Sequence, residues 1–336
     1  MKEAMLYEKL EGDAVRCNLC QHRCRIEEGK LGICAVRRNQ GGVLYSLVYG
    51  KAIATHTDPI EKKPLFHFQP GSSSYSIATV GCNFHCSFCQ NSDIAHMPRN
   101  LGRIIGKDLS PEEVVRSAQT GDCRSIAYTY TEPTVFFEYA FDIARLARKA
   151  GLKNVFVSNG YMTPEAIETI APFLDGINVD LKAFDDGIYR KYMGGELEKM
   201  LESTRALFKA GIWMEITTLI IPTVNDTSEQ ISGIASFIAE LSPDIPWHVN
   251  RYHPSYKFTT APPTPLAALK TAEEIGREKG IRHIYIGNVW GEAGENTMCW
   301  NCGEILIRRS GFRVMENRIE DGKCPDCGAA ISGVDL

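Results

Sequence analysis

The sequence predicts an α/β fold: a partial parallel β/α barrel, open on one side, with a cysteine-rich module before it and a small four-cysteine module after it. Three observations lead there. Apolar, β-branched runs alternate with amphipathic segments over residues 74–290. Polar residues interrupt these runs at their C-terminal ends, where ligands gather in such folds. Eleven of the twelve cysteines fall into three tight groups, one in each region.

The alternation begins with a strand at 74–81, which ends on the second cysteine group. A helix opens at Ser110, with Pro111 at its first position and Glu113 completing a capping box. Strand 125–131 precedes helix 134–150, which Gly151 stops, and strand 154–158 leads into helix 163–171. Strand 176–181 precedes a long helix over 186–210, stopped at Gly211. Strand 212–221, helix 228–241, strand 247–252, helix 264–279 and strand 283–289 complete the series. Continuous apolar strands separated by helices indicate a parallel sheet covered on its faces. Six or seven repeats are too few to close an eight-stranded barrel. The domain boundaries are therefore set at 1–73, 74–290 and 295–336.

Composition narrows the class. A 336-residue chain with 44% hydrophobic and 23% charged residues is ordinary for a soluble globular protein. A formal net charge of −4 gives no general attraction to nucleic acid or anionic membranes. The first residues carry charges throughout and lack the apolar core of a secretory signal, and no apolar run is long enough to span a bilayer. A cytoplasmic location is expected, where clustered cysteines mean metal rather than disulfides.

In TVGCNFHCSFCQN, Cys82, Cys86 and Cys89 follow a strand as C-x3-C-x2-C. Three thiolates on one short loop suit three irons of a [4Fe–4S] cube and leave the fourth iron open. A structural zinc site normally takes four protein ligands, and only His85 lies near enough in sequence to supply one. An open iron can take the amine and carboxylate of S-adenosylmethionine (SAM), whose one-electron cleavage gives a 5′-deoxyadenosyl radical.

This motif resembles the signature of the radical SAM superfamily, with Phe88 in the aromatic slot beside the adenine. The likeness covers roughly residues 75–290 and is greatest to the group related to pyruvate formate-lyase activating enzyme. More narrowly, CNLCQHRCRIEEGKLGIC, DPIEKKPLFHFQPGS, AYTYTEPT, VSNGY, NVDLKAF and YIGNV resemble the AmmeMemoRadiSam-system enzymes. The resemblance implies SAM, an external flavodoxin- or ferredoxin-like one-electron reductant, and Memo-like and AMMECR-like partner proteins. It also implies the pocket. Thr131 and Glu132 take the place of the usual Gly-Gly-Glu that anchors the methionine amine, Glu132 otherwise being a helix N-terminal carboxylate. Ser158 and Asn159 lie near the ribose or carboxylate, and Asp180 and Lys182 are polar site residues. The Gly-Gly-Glu at 194–196 falls inside the expected long helix and is read as coincidence.

Tyr128, Tyr130, Glu215, His248, Arg251, His253, Asn288 and Trp290 are candidates to face substrate. Glu215 stands where the activating enzymes resemble one another in having an arginine, which argues against their glycine-loop substrate. The leading reading is hydrogen abstraction from an unidentified substrate. The alternatives are a glycyl-radical-enzyme activating enzyme acting on a partner protein, and a non-catalytic zinc-ribbon interaction module on an inactive barrel.

Cys299, Cys302, Cys324 and Cys327 form two knuckles with β-like sequence between them, a zinc-ribbon-like arrangement. Zinc is favoured there, although iron accepts the same ligands. Cys17, Cys20, Cys24 and Cys34 are a second tetrad, which zinc or a second iron–sulfur cluster would fit, zinc being slightly favoured. Cys123 stands alone and reads as a small buried side chain.

Overall fold

The structure is a computed structural model, and it describes residues 1–289 and 294–336. At its centre is an eight-stranded sheet in which every strand neighbours the next in the chain. The strands are β1 (Ala54–Pro59), β2 (Ser73–Ala78), β3 (Ser125–Tyr128), β4 (Lys153–Ser158), β5 (Gly176–Asp180), β6 (Trp213–Ile220), β7 (Trp247–Arg251) and β8 (Ile284–Gly287). From β2 onward all pairings are parallel, while β1 runs antiparallel to β2, with His56 opposite Ser76. Helices α1 (Pro111–Thr120), α2 (Phe137–Lys149), α3 (Pro164–Ile170), α4 (Leu197–Lys209), α5 (Ser228–Leu241) and α6 (Leu266–Glu278) connect β2 to β8 in turn.

The capping signals work as local chemistry requires. Ser110 Oγ accepts from Glu113 N and the Glu113 carboxylate accepts from Ser110 N at 2.7 Å, so two otherwise orphaned donors at the start of α1 are satisfied. Thr163 caps α3 more simply, its Oγ1 accepting from Ala166 N at 3.2 Å. The long helix expected over 186–210 is broken. A short helical turn at Asp186–Ile188 runs into a wider π-type turn at Tyr189–Met193, and α4 starts only at Leu197. Gly194, with φ +80°, makes the break.

The first 73 residues are tied into the barrel. Strand β1 is the edge of the central sheet, although the lead-in showed no β/α alternation. Alternation detects parallel strands with crossover helices, and an antiparallel edge strand needs neither. Val15, Leu19, Ile26, Val36 and Leu44 belong to the same apolar core as Ile126, Phe136 and Tyr161.

The N-terminal mouth of the barrel is plugged. Ile60, Leu65 and Phe68 pack on Ala127 and Val155 from the strands. The C-terminal module holds this plug. It has its own three-stranded sheet and a small core including Leu306, Ile307 and Ile331. Its Arg309 is fully buried 3.6 Å from Glu61, stacks on Phe66 and donates to Phe66 O at 2.8 Å. The tail adds backbone bonds, Val334 N to His67 O and Gln69 N to Val334 O, both 2.8 Å. No helix among the described residues is long and apolar enough to cross a membrane.

Candidate active site

The cysteine loop leaves the C-terminal end of β2 through Gly81, whose φ of +112° and tight packing on Val36 exclude a side chain. Cys86 is buried, and Cys82 and Cys89 are half-buried. Burial pushes all three thiols up, Cys86 to about 12. They therefore suit a cationic metal centre that holds them as thiolates, not free nucleophiles. His85 packs its ring against Gly194, where an added Cβ would lie 1.9 Å from Cε1. The Gly-Gly-Glu read as coincidence in a helix is the turn against which this loop rests. His85 N donates to Met193 O at 3.0 Å, Ser87 N to Tyr192 O at 3.3 Å, and Gly195 faces the Phe84 ring. A glycine pair inside a nominal helix was the available signal.

Glu132, Ser158 and Asn159 come together at the ends of β3 and β4. The Glu132 carboxylate is 2% exposed and already occupied. Its Oε1 accepts from Thr134 N (3.0 Å), Thr134 Oγ1 (2.6 Å) and Ser158 Oγ (2.7 Å), and its Oε2 accepts from Asn159 N (2.8 Å). Glu132, expected from the resemblance to anchor the methionine amine, thus straps two strand ends together. Burial raises its pKa, and these donors oppose the rise. Asn159 extends the strap toward the cysteines, donating from Nδ2 to Asn83 Oδ1 at 2.7 Å and lying 3.8 Å from Cys82 Sγ. Gly160 makes the turn that follows with φ +66°.

Removing the strap has a measurable cost. Glu132→Ala leaves the amides of Asn159 and Thr134 buried without an acceptor, at about 1–3 kcal/mol each. Its denaturation midpoint, read by circular dichroism, is expected to fall accordingly. A midpoint equal to that of the wild type would show that Glu132 does not hold the strands.

Thr131 Oγ1 donates to Thr79 O at 2.8 Å, which fixes the crossing from β3 over β2. At the end of β5, Lys182 Nζ donates to Asp180 at 2.9 Å. Burial opposes the Lys182 charge, but Asp180 and Cys86 together hold its pKa above the ordinary lysine value. Phe88 is 4% exposed within the core.

Other candidates lie elsewhere. Glu215 and His248 sit near the starts of β6 and β7, at the end of the barrel opposite the cysteine loop. Glu215 accepts from Phe66 N at 2.9 Å, His67 N at 2.8 Å and Trp213 Nε1 at 3.1 Å, and lies 2.7 Å from His248 Nε2. It anchors the plug, so its charge does not bear on whether a glycine loop could be the substrate. Tyr128 is buried, donating to Asn154 at 3.0 Å. Arg251 donates to Thr264 O and Asn288 to Arg251 O. His253 is exposed. Trp290 lies outside the described residues.

Sequence reasoning missed a buried polar group behind Tyr130. Tyr130 donates to Asp58, and Lys63 Nζ donates to the same carboxylate at 2.7 Å. Burial lowers the Lys63 pKa to about 8 against the opposing pull of Asp58. Such a cluster assembles from an edge strand, a plug and a strand end, so no single segment announces it.

The two flanking tetrads differ. In the C-terminal one, Cys299 and Cys327 are 3.6 Å apart, Cys302 and Cys324 are 3.7 Å apart, and all four sulfurs lie within 4.8 Å of one another. Metal–sulfur bonds of about 2.3 Å in a tetrahedron give sulfur–sulfur edges of about 3.8 Å, so this set fits one ion. The N-terminal four line a single cavity together with Leu19, His22, Arg37 and Asn83.

Comparison with known proteins places this geometry. Residues 76–237 match the Radical SAM superfamily. The chain is 43% identical over 334 residues to an uncharacterized protein of Methanocaldococcus jannaschii, covering 98% of this chain and 99% of that one. It belongs to the radical SAM superfamily. This radical SAM enzyme is also 25% identical over 169 residues to the pyruvate formate-lyase-activating enzyme of Clostridium pasteurianum, covering 48% of this chain and 67% of the relative. Its fold matches a radical SAM methyltransferase from Sphaerobacter thermophilus with a TM-score of 0.52, at 16% identity over 71% of each chain. Membership implies a [4Fe–4S] cluster, SAM and a reductant.

Proposed function

We propose that Cys82, Cys86 and Cys89 hold the [4Fe–4S] cluster at which SAM is cleaved, and that the radical produced takes hydrogen from a substrate at the C-terminal mouth of the barrel. The observation that carries this reading is three thiols on one loop, Cys86 buried and Cys82 and Cys89 half-buried, with no fourth cysteine in that loop. When bound, the cluster and SAM supply one-electron cleavage to 5′-deoxyadenosine and methionine.

The chain's own residues orient and seclude. Glu132 holds Ser158 and Asn159 at the mouth. Asn159 Nδ2 is placed to donate toward Cys82 and Asn83. The Lys182 ammonium lies near Cys86 and offsets negative charge there. Asp180, paired with Lys182, and Thr131 are the remaining polar groups for SAM, and Phe88 lends an apolar wall. The plug at the opposite mouth keeps water from entering behind the site.

A protein substrate is favoured over a small molecule by the relatives, which include activating enzymes, and by the removal of Glu215 from the site. Memo-like and AMMECR-like proteins are proposed partners on the sequence resemblance. In the C-terminal tetrad, sulfur spacing and small core favour structural zinc.

The test is anaerobic reconstitution with iron and sulfide, then dithionite and SAM. Release of 5′-deoxyadenosine is expected, and its absence from the fully reconstituted wild-type protein would overturn the reading. Adding candidate partner proteins and recording electron paramagnetic resonance separates the substrate classes, since a glycyl radical appears only if a protein backbone is the substrate.

A further inference from the structure

We propose that Cys17, Cys20, Cys24 and Cys34 hold a second iron–sulfur cluster, of the [4Fe–4S] type, seated against the catalytic cysteine loop. Three independent features of the structure bear on this.

The first is spacing. Among the described residues, the C-terminal tetrad is the only group of three or more cysteine, histidine or carboxylate side chains whose ligand atoms all lie within 4.8 Å of one another. The N-terminal four are therefore more widely set than a single tetrahedral ion requires, and so is the Cys82, Cys86 and Cys89 triad. In a cubane each thiolate binds a different corner iron, which spreads the sulfurs apart. The four nonetheless face one space. Gly32 lies beneath it, and an added Cβ there would sit 3.9 Å from both Cys24 Sγ and Cys34 Sγ.

The second is charge. Arg37 and Asn83 both line this cavity and are both 1% exposed. Arg37 Nη2 donates to Glu138 at 2.6 Å, but its Nε and Nη1, and Asn83 Nδ2, have no acceptor. Buried donors left unpaired are rare and costly. These three unpaired donors call for anionic acceptors in the cavity. A cluster offers its inorganic sulfides as well as the four thiolates, whereas a lone zinc ion leaves the thiolates alone to accept.

The third is seating. Cys20 bridges to Met162 and Gln21 N donates to Tyr161 O at 3.2 Å, which presses the loop onto the segment after β4. His22 Nε2 lies 3.0 Å from Asn83 O, and Asn83 adjoins Cys82 in the chain. The cavity is thus formed jointly by the module and the catalytic loop. The proposal thus takes the second of the two metals that the sequence left open at this tetrad.

The experiment measures iron, sulfide and zinc in the anaerobically reconstituted full-length protein and in its Cys82→Ala/Cys86→Ala/Cys89→Ala variant. Two cubanes give about eight irons per wild-type chain, and the variant is expected to keep about half of them. The retained iron should show the Mössbauer signature of a [4Fe–4S] centre and disappear when Cys17→Ser and Cys20→Ser are added. A variant with no iron and about two zinc ions would overturn the proposal. Should the variant fail to fold, the wild-type metal count decides alone, with about four irons and two zinc ions counting against the second cluster. If the wild type carries only about four irons and all persist in the variant, the tetrad assignment stands and the triad assignment falls.

Discussion

Replacing Cys82, Cys86 and Cys89 together with alanine is expected to reduce 5′-deoxyadenosine release under dithionite to the level of a protein-free control. The chain offers no substitute ligand set at this place. His85 is committed to the Gly194 turn, and Asn159 reaches Cys82 only as an amide donor. Alanine leaves the loop's backbone contacts to Tyr192 and Met193 intact, so the barrel should keep its fold. The metal proposed for the C-terminal tetrad should remain, because its four sulfurs lie together in a separate module. A global collapse would remove that metal and the circular dichroism signal along with the activity, which tells misfolding from loss of the cluster. Undiminished deoxyadenosine from the folded triple variant would sink the catalytic assignment.

Losing Cys324 is expected to destabilise the whole protein rather than the small module alone. Cys324 is buried in a core made of Cys299, Leu306, Ile307, Ile319 and Ile331, too small to fold without a metal. When the module loosens, Arg309 leaves Glu61, and an uncompensated buried charge costs about 3–5 kcal/mol. Phe66 and His67 then lose their cover, and with them the plug held by Glu215. Cys324→Ala should therefore show lost metal, a lowered melting temperature and insensitivity to a chelator that lowers the wild-type melting temperature. Unchanged metal content and an unchanged melting temperature would show that the tetrad is not a metal site.

The parts of the site written in short segments were legible beforehand. The strand before Cys82, the capping box at Ser110, and the polar strand ends at Asn159 and Asp180 each depend on residues within a few positions of one another. Glu132 was legible as a strand-end carboxylate, but its hydrogen-bond partners were not. Its position follows from the end of β3, but its four donors come from two segments, and hydrogen-bond saturation is not a property of either alone. Glu215 shows the limit most clearly. A polar residue in a buried strand can face either mouth of a barrel, and only the docking of Phe66 and His67 reveals which one.

What the sequence by itself determined is what repeats locally: parallel strands from continuous apolar runs, helices from their caps and faces, and three cysteine clusters as candidate metal sites. Tertiary structure decided the rest. It broke the helix at Gly194 because the cysteine loop needs a side-chain-free surface there. It joined the N-terminal module to the barrel core. It set the sulfur distances that separate the two tetrads, since spacing along a chain limits which cysteines can share a metal but not how far apart folding holds them. The physical reason is range: caps and periodicity act within a turn or a strand, whereas saturation of a buried carboxylate and the width of a thiolate cage depend on groups brought together from distant parts of the chain.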